Sequence, residues 1–317
     1  MDRRYGYCCI NLSISEGRKK KDRVTTNRSM TKKTFLERGI EYVSELSLLN
    51  VKDLCTIIEW NNQMGIKMYR MSSDIFPWCS EYELSDLPDF EEIKTHLKRA
   101  GGLAISGDQR ITFHPSPYGV LASLREDVVH NALKELRQHG EIMDLMGLDQ
   151  NLHYPINIHV NTTKPTKEEA ASRFCKNFML LPDSVKKRLV VEIDDKGSQY
   201  TSLDLKEMIH DSIGIPVTFD YLHNRCNPPE GLSEEESLLV CLSTWPNDVT
   251  PLTHFSESRA LFEDNSAKDL AHSDWIHEKI ETYGHNFDIE LEVKMKDKAL
   301  LHYHSNIEEI ICQETTN

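Results

Sequence analysis

No apolar run in this chain approaches the roughly 20 residues needed to span a bilayer. The opening "MDRRYGYCCINL" has no long apolar core followed by a small-residue cleavage site, so it does not read as a secretory signal. The expectation is an intracellular protein, cytoplasmic or nucleoid-associated, neither secreted nor membrane-bound. The eight cysteines include an adjacent pair, Cys8 and Cys9, but no C-x-x-C spacing. Zinc-ribbon and thioredoxin readings fail on that count, and reduced thiols, mostly buried, are expected. No G-x-G-x-x-G follows the first strand-like run and no G-x-x-x-x-G-K-[ST] occurs, so nucleotide cofactors have no support. Positive charge is also short, with 37 Lys and Arg against 51 Asp and Glu, a net charge of −14. That excludes an indiscriminate nucleic-acid binder, which is normally basic, but not a nuclease with acidic metal ligands and a local basic rim.

What remains is ordinary for a soluble fold. Hydrophobic residues make up 39% and charged residues 28% of 317 positions, enough for one large α/β domain or two medium ones. No repeat of fixed sequence occurs, yet short β-rich runs recur. They are "RYGYCCINL" (4–12), "IKMYRMSS" (66–73), "RITFHPS" (110–116), "INIHV" (156–160), "RLVVEID" (188–194), "IPVTFDYLH" (215–223), "TPLTHFS" (250–256) and "FDIELEVK" (287–294). Helical spacing separates them, as at 50–65, 127–147 and 202–214, with Gly65, Gly147 and Gly214 placed as helix C-caps. Eight such alternations predict a single (β/α)8 TIM barrel with its active site at the C-terminal ends of the strands. An open doubly wound sheet is the runner-up.

Those strand ends are polar. In order they offer Asn11, Asp74, His114, His159, Glu192, Asp220 with His223, His254 and Glu292, while His272 lies in the loop after the seventh strand. Imidazoles and carboxylates crowded at one barrel mouth need cations to balance them. Mixed nitrogen and oxygen donors suit zinc, manganese or iron better than calcium or magnesium. The donors outnumber what one ion uses, so a cluster of roughly two or three ions is expected. Such clusters serve phosphodiester cleavage, but barrel isomerases of sugars use paired metals too.

The ordered segments "GYCCINL", "TTNRSM", "NVKDLCTIIEWNNQMGIKMYRMSSDIFP", "FHPSPY", "NIHV", "VVEIDD", "VTFDYLHN", "THFSES", "AHSDWI" and "LEVKMKDKAL" resemble the ultraviolet damage endonucleases over residues 6–300. These belong to the barrel superfamily that also holds apurinic-site endonucleases and xylose isomerase. The resemblance implies a metal-dependent endodeoxyribonuclease of DNA repair. It would nick damaged double-stranded DNA immediately 5′ to cyclobutane pyrimidine dimers, 6-4 photoproducts and, in its widest reading, abasic sites, leaving a 3′-hydroxyl. The implied chemistry is hydrolysis by a metal-bound hydroxide, with manganese the usual ion and zinc or magnesium as alternatives. The implied ligands are His114, His159, Glu192, Asp220, His223, His254, His272 and Glu292, of which Glu192, Asp220, His223 and Glu292 carry the catalysis. Tyr7, Asn11 and Tyr118 match lesion-probing positions, and Asn27 and Arg28 look like contacts to the DNA backbone.

The chain departs from the family at three places. Pro117 stands where a glutamine probe is usual, which predicts altered lesion preference. Leu252 replaces a lysine two residues before the histidine, which puts the usual metal stoichiometry or full activity in question. Ile193 replaces a favoured asparagine. The basic run "EGRKKKDRVTTNR" (16–28) would sit on the catalytic rim, where Lys19, Lys20 and Lys21 could track phosphate. A barrel domain over 1–302, a tail over 303–317 and a monomeric state complete the expectations. Two alternatives stay open: a metal enzyme acting on a sugar or sugar phosphate, and a protein that binds damage with reduced cleavage.

Overall fold

A computed structural model describes residues 3–314. Its frame is a closed parallel barrel in sequence order. The strands are β1 Tyr5–Cys8, β2 Met68–Met71, β3 Arg110–Phe113, β4 Ile156–Ile158, β5 Leu189–Glu192, β6 Val217–Asp220, β7 Leu252–Phe255 and β8 Asp288–Leu291. The last closes on the first through Tyr5↔Ile289 and Gly6↔Glu290. Each strand falls inside its expected run but is shorter than it. In several runs polar residues lie just beyond the paired strand, at the mouth. "INIHV", for instance, pairs only over Ile156–Ile158 and leaves His159 beyond the sheet.

Buried parallel strands alternate between the helix-facing side and the barrel interior. Ile289 and Leu291 of β8 belong to the main apolar core beneath the helices, while Asp288 and Glu290 reach residues on strands that are not their neighbours. Ion pairs and hydrogen bonds that skip a strand can only cross the interior. A small apolar layer of Met68, Val190, Leu252 and Trp245 forms a separate cluster. The interior of this barrel is therefore mostly polar, with one greasy layer.

The helices cover the outside. The expected segment 50–65 is the second half of α1, Lys32–Gln63, which breaks at Gly39 (φ 69°, ψ −162°). Thr31 starts it by accepting from the amide of Thr34 at 3.2 Å. Helices Phe90–Ser106 and Glu126–Leu145 follow β2 and β3. The segment 202–213 is helical with a π turn over Lys206–His210. Gly65, Gly147 and Gly214 take φ of 71°, 76° and 74°, the left-handed conformation that a C-cap glycine supplies without strain.

The last helix, Lys296–Glu314, runs through the expected boundary between domain and tail. Tyr303 is buried, and its hydroxyl accepts from the amide of Ile280 at 3.1 Å, so the first part of the expected tail is packed on the barrel. Residues 315–317 of that tail lie outside the described residues. Cys8, Cys9, Cys55, Cys79, Cys175, Cys226 and Cys241 are free. Among the described residues, no helix is long and apolar enough to cross a membrane.

Candidate metal centre

Glu192 ends β5, fully buried, and the other candidate ligands converge on it. Its Oε2 lies 3.1 Å from His114 Nε2, 3.1 Å from His254 Nδ1 and 3.6 Å from His159 Nε2. Its Oε1 lies 3.2 Å from His223 Nδ1. Glu292, just past β8, sits 3.2 Å from His254 Nδ1 and 3.9 Å from His272 Nδ1. Asp220 ends β6 and caps the helix Tyr221–Cys226, accepting from the amide of His223 at 2.7 Å. That cap fixes the short spacing of "DYLH", because one turn of helix returns His223 to the mouth beside Asp220. Three ligand triads share Glu192: His114 with His159, Asp220 with His223, and His254 with Glu292. All eight expected metal ligands are thus in one cluster.

The electrostatics are those of groups that need a partner. Burial would push the Glu192 carboxyl up, but the imidazoles of His254 and His159 outweigh it and hold the group well below the usual carboxylate range. Burial would likewise lower His254 and His223; for His254 the Glu192 and Glu290 carboxylates reverse that, and for His223 those of Asp220 and Glu192, raising both imidazoles well above their ordinary value. Asp220 is raised, first by burial and then by the like charges of Glu192 and Glu292. Burial acts against Glu292 too, but Arg70 and His254 keep it well below the carboxylate range.

A direct test of fit lies in the buried atoms with no hydrogen bond. They include both ring nitrogens of His254, Nδ1 of His159 and of His272, Oε1 of Glu192 and Oδ2 of Asp220. Several of these lie within ion-pair distance of a neighbour yet are not aligned for a hydrogen bond. Buried polar atoms left this way are costly. A set of unaligned nitrogen and oxygen donors around one carboxylate suits divalent cations.

The structure also supplies residues that strand-end reading missed. Asn157 donates to Glu192 Oε2, and Asp194 lies 3.1 Å from His159 Nδ1. Arg70 pairs with Glu292 and, at 3.0 Å, with Glu290. Thr112 donates to Glu290 at 2.5 Å. The signal for Glu290 was present: 288, 290 and 292 alternate with Ile289 and Leu291, the period of a strand with one polar face.

Other expectations need correction. Asp74 does not join the cluster; it is exposed and lines a separate cavity of about 680 Å³ with Tyr118 and Glu135. Tyr7 and Asn11, expected to probe lesions, are fully buried. Asn11 donates to the Tyr7 hydroxyl at 2.8 Å, and that hydroxyl donates to Asn61 at 2.8 Å, so the polar groups of both are engaged inside the fold. Arg28 is committed to Asp53 at 2.6 Å and to the carbonyls of Thr25 and Arg23, which pins its loop to α1. Asn27 accepts from the Thr25 hydroxyl in the same loop and is half-buried.

Tyr118 is 86% exposed, beside the exposed Pro117. Its loop is anchored where the amide of Ser116 donates to Glu135 at 3.0 Å. Lys19, Lys20 and Lys21 are exposed too, and Lys20 and Lys21 help line a second cavity of about 680 Å³ beside the mouth. Leu252 is buried in the small apolar layer. Ile193 is buried as well, and only its backbone carbonyl meets the site, lying 3.0 Å from His223 Nδ1.

Comparison with known proteins gives a consistent picture. A family model described as UV-endonuclease UvdE matches residues 3–315. A UV-damage endonuclease of Schizosaccharomyces pombe is 34% identical over 94% of this chain, which spans only 49% of that longer relative. A UV DNA damage endonuclease of Clostridium perfringens is 30% identical over 96% of this chain and 71% of its own length. The crystal structure of SacUVDE superposes with a TM-score of 0.82 at 29% identity, covering 97% of this chain and 99% of that one. Endonuclease IV from Thermus thermophilus, at 14% identity and a TM-score of 0.57 over 96% and 99% of the two chains, shares the barrel fold.

Proposed function

The chain belongs to the UV-endonuclease UvdE family, and from that premise we propose that it nicks UV-damaged duplex DNA immediately 5′ to the lesion. The substrates are cyclobutane pyrimidine dimers and 6-4 photoproducts, with abasic sites at the edge of the range. The product carries a 3′-hydroxyl. One observation carries the reading: six donors from five strand ends gather around Glu192, His272 joins them through Glu292, and several of their buried atoms lack any hydrogen bond.

His114, His159, Glu192, Asp220, His223, His254, His272 and Glu292 would hold a cluster of roughly two or three divalent ions. Manganese fits this mixed donor set and is the proposed ion, with zinc and magnesium the comparisons to test. When bound, such ions polarise a phosphodiester and activate water at neutral pH. The protein's own work is to keep the donors in place. Glu192 stays ionised at the centre, the Asp220 cap fixes His223, and Arg70 from β2 steadies Glu292. Water reaches the half-buried side of the cluster through the mouth, where His114, His159 and His223 are partly exposed.

At the rim, Tyr118 is the aromatic side chain free to enter a distorted duplex. A damaged pair is already poorly stacked, so displacing it costs less than displacing an intact one. Pro117 has no amide side chain to pair with an orphaned base. Replacing it in Pro117→Gln should raise the preference for dimer-containing over intact duplex, and equal selectivity would remove it from lesion recognition.

The test of function is incision. A labelled duplex carrying one dimer, incubated with the protein and manganese, should show one nick directly 5′ of the dimer. Binding without a nick would favour the damage-binding alternative. Neither binding nor a nick would reopen the sugar-enzyme reading.

A further inference from the structure

Glu290 sits mid-strand in β8, fully buried, one level below the ligand cluster. Its Oε1 lies 3.0 Å from Arg70, 3.7 Å from Cys8 Sγ and 3.4 Å from His254 Nε2, and its Oε2 accepts from Thr112 at 2.5 Å. Neutralising Arg70 does not require this arrangement, because Arg70 also pairs with Glu292. Cys8, Glu290 and Glu292 are close enough to share a cation of their own. The guanidinium already fills that role by bridging both carboxylates.

The ring of His254 gives Glu290 its meaning. Nδ1 faces Glu192 at 3.1 Å and Glu292 at 3.2 Å, the two carboxylates of its ligand triad. Nε2 faces Glu290 alone among the carboxylates within ion-pair distance, at 3.4 Å and short of hydrogen-bond alignment, so a small turn of the ring would complete the contact. A neutral imidazole has one N–H and one lone pair, and the nitrogen that meets a non-ligating carboxylate keeps the proton. Thr112 on β3 and Arg70 on β2 tether Glu290 from two other strands, so it cannot swing up to compete for the ligand positions. We propose that Glu290 is a positioning residue for His254. It holds the proton on Nε2 and turns the Nδ1 lone pair toward the place that Glu192 and Glu292 share. Leu252, two residues before His254 on the same strand, has no polar atom to do this.

This inference rests on the cluster being a cation site, and its test does not use incision. The His254 tautomer can be read by nitrogen–proton correlation in zinc-loaded protein, and manganese affinity by competition with a chelator. The wild type should carry its proton on Nε2. Glu290→Gln still offers an amide oxygen and should keep both the tautomer and the affinity. Glu290→Leu should bind manganese roughly 10- to 100-fold more weakly, the usual cost of losing a carboxylate behind a ligating histidine.

A wild-type proton on Nδ1 would overturn the proposal even if Glu290→Leu fails to fold. So would Glu290→Leu with wild-type affinity. A wild type that binds neither zinc nor manganese would overturn the cation site itself and this role with it; unchanged affinity in Glu290→Leu alone would overturn only the role of Glu290.

Discussion

Two buried charged clusters sit in this barrel, and they are built on opposite terms. At the base, Arg110 of β3 crosses the interior to Asp288 of β8 at 2.9 Å, and both are buried. Its remaining donors reach the carbonyls of His153 at 3.0 Å, Thr250 at 2.9 Å and Leu152 at 3.1 Å. The other oxygen of Asp288 accepts from the amide of Arg4 at 2.9 Å. At the mouth, the Glu192 cluster leaves nitrogens of His159, His254 and His272 and oxygens of Glu192 and Asp220 without hydrogen bonds. A buried charge whose atoms are all satisfied belongs to the architecture. One whose atoms are not is waiting for a ligand.

That contrast sets the order of the experiments. The largest expected effect is at the mouth. Glu192→Gln and Asp220→Asn should each lose manganese binding and incision by more than the roughly 100-fold seen for supporting residues of metal sites. Thermal melting of the metal-free proteins should stay near wild type; asparagine caps a helix as well as aspartate does, so Asp220→Asn keeps the turn that holds His223. Global unfolding of either variant would break the comparison.

At the base the opposite should happen. Arg110→Leu leaves buried Asp288 with only the more distant Arg4 guanidinium, at 3.7 Å, and should cost about 3 kcal/mol in urea unfolding. Whatever fraction folds should keep its metal content. Loss of metal without loss of stability would mean that the two clusters are one system.

A third effect concerns a buried histidine apart from both clusters. His139 packs edge-on to Phe113 at 4.5 Å, and burial pushes its imidazole down to about 4. An unfolded histidine titrates near 6.5, so the unfolded chain takes up the proton first as pH falls. The stability from keeping His139 neutral is complete above about pH 6.5 and is lost as pH falls toward 4. The loss is on the order of 3 kcal/mol. His139→Gln should flatten that part of the stability profile relative to wild type, and parallel profiles would remove His139 from acid unfolding.

The smallest effect belongs to the rim. Neutralising Lys19, Lys20 and Lys21 together should flatten the salt dependence of DNA binding by about one unit of slope for each phosphate no longer neutralised. An unchanged slope would return the run to a solvated loop.

How much of this could be read beforehand follows from the same contrast. The barrel was legible because parallel strands, buried on both faces, write themselves as short β-branched runs, and the helix ends carried glycines where φ turns positive. Most of the candidate ligands were legible because a polar residue stops an apolar run, as at Glu192 and Asp220. The interior was not. Glu290 and Arg70 sit inside strands, where one residue gives no hint of which side it faces until the register with neighbouring strands is known. Tyr7 and Asn11 were harder to read. A position at the mouth reads as a surface, when Asn61 on α1 holds the Tyr7 hydroxyl and that hydroxyl holds Asn11. Asp74 failed for a similar reason, because its strand ends and a short 3-10 turn, Ser73–Ile75, carries it to the outer side of the rim.

Metal content, counted by native mass spectrometry after loading with manganese, tests the central claim most directly. The account predicts a cluster of roughly two or three ions on the wild type and on the folded Arg110→Leu protein, with loss of ions in Glu192→Gln. A wild type that carries no ion, or a Glu192→Gln protein that keeps the full set, would contradict it.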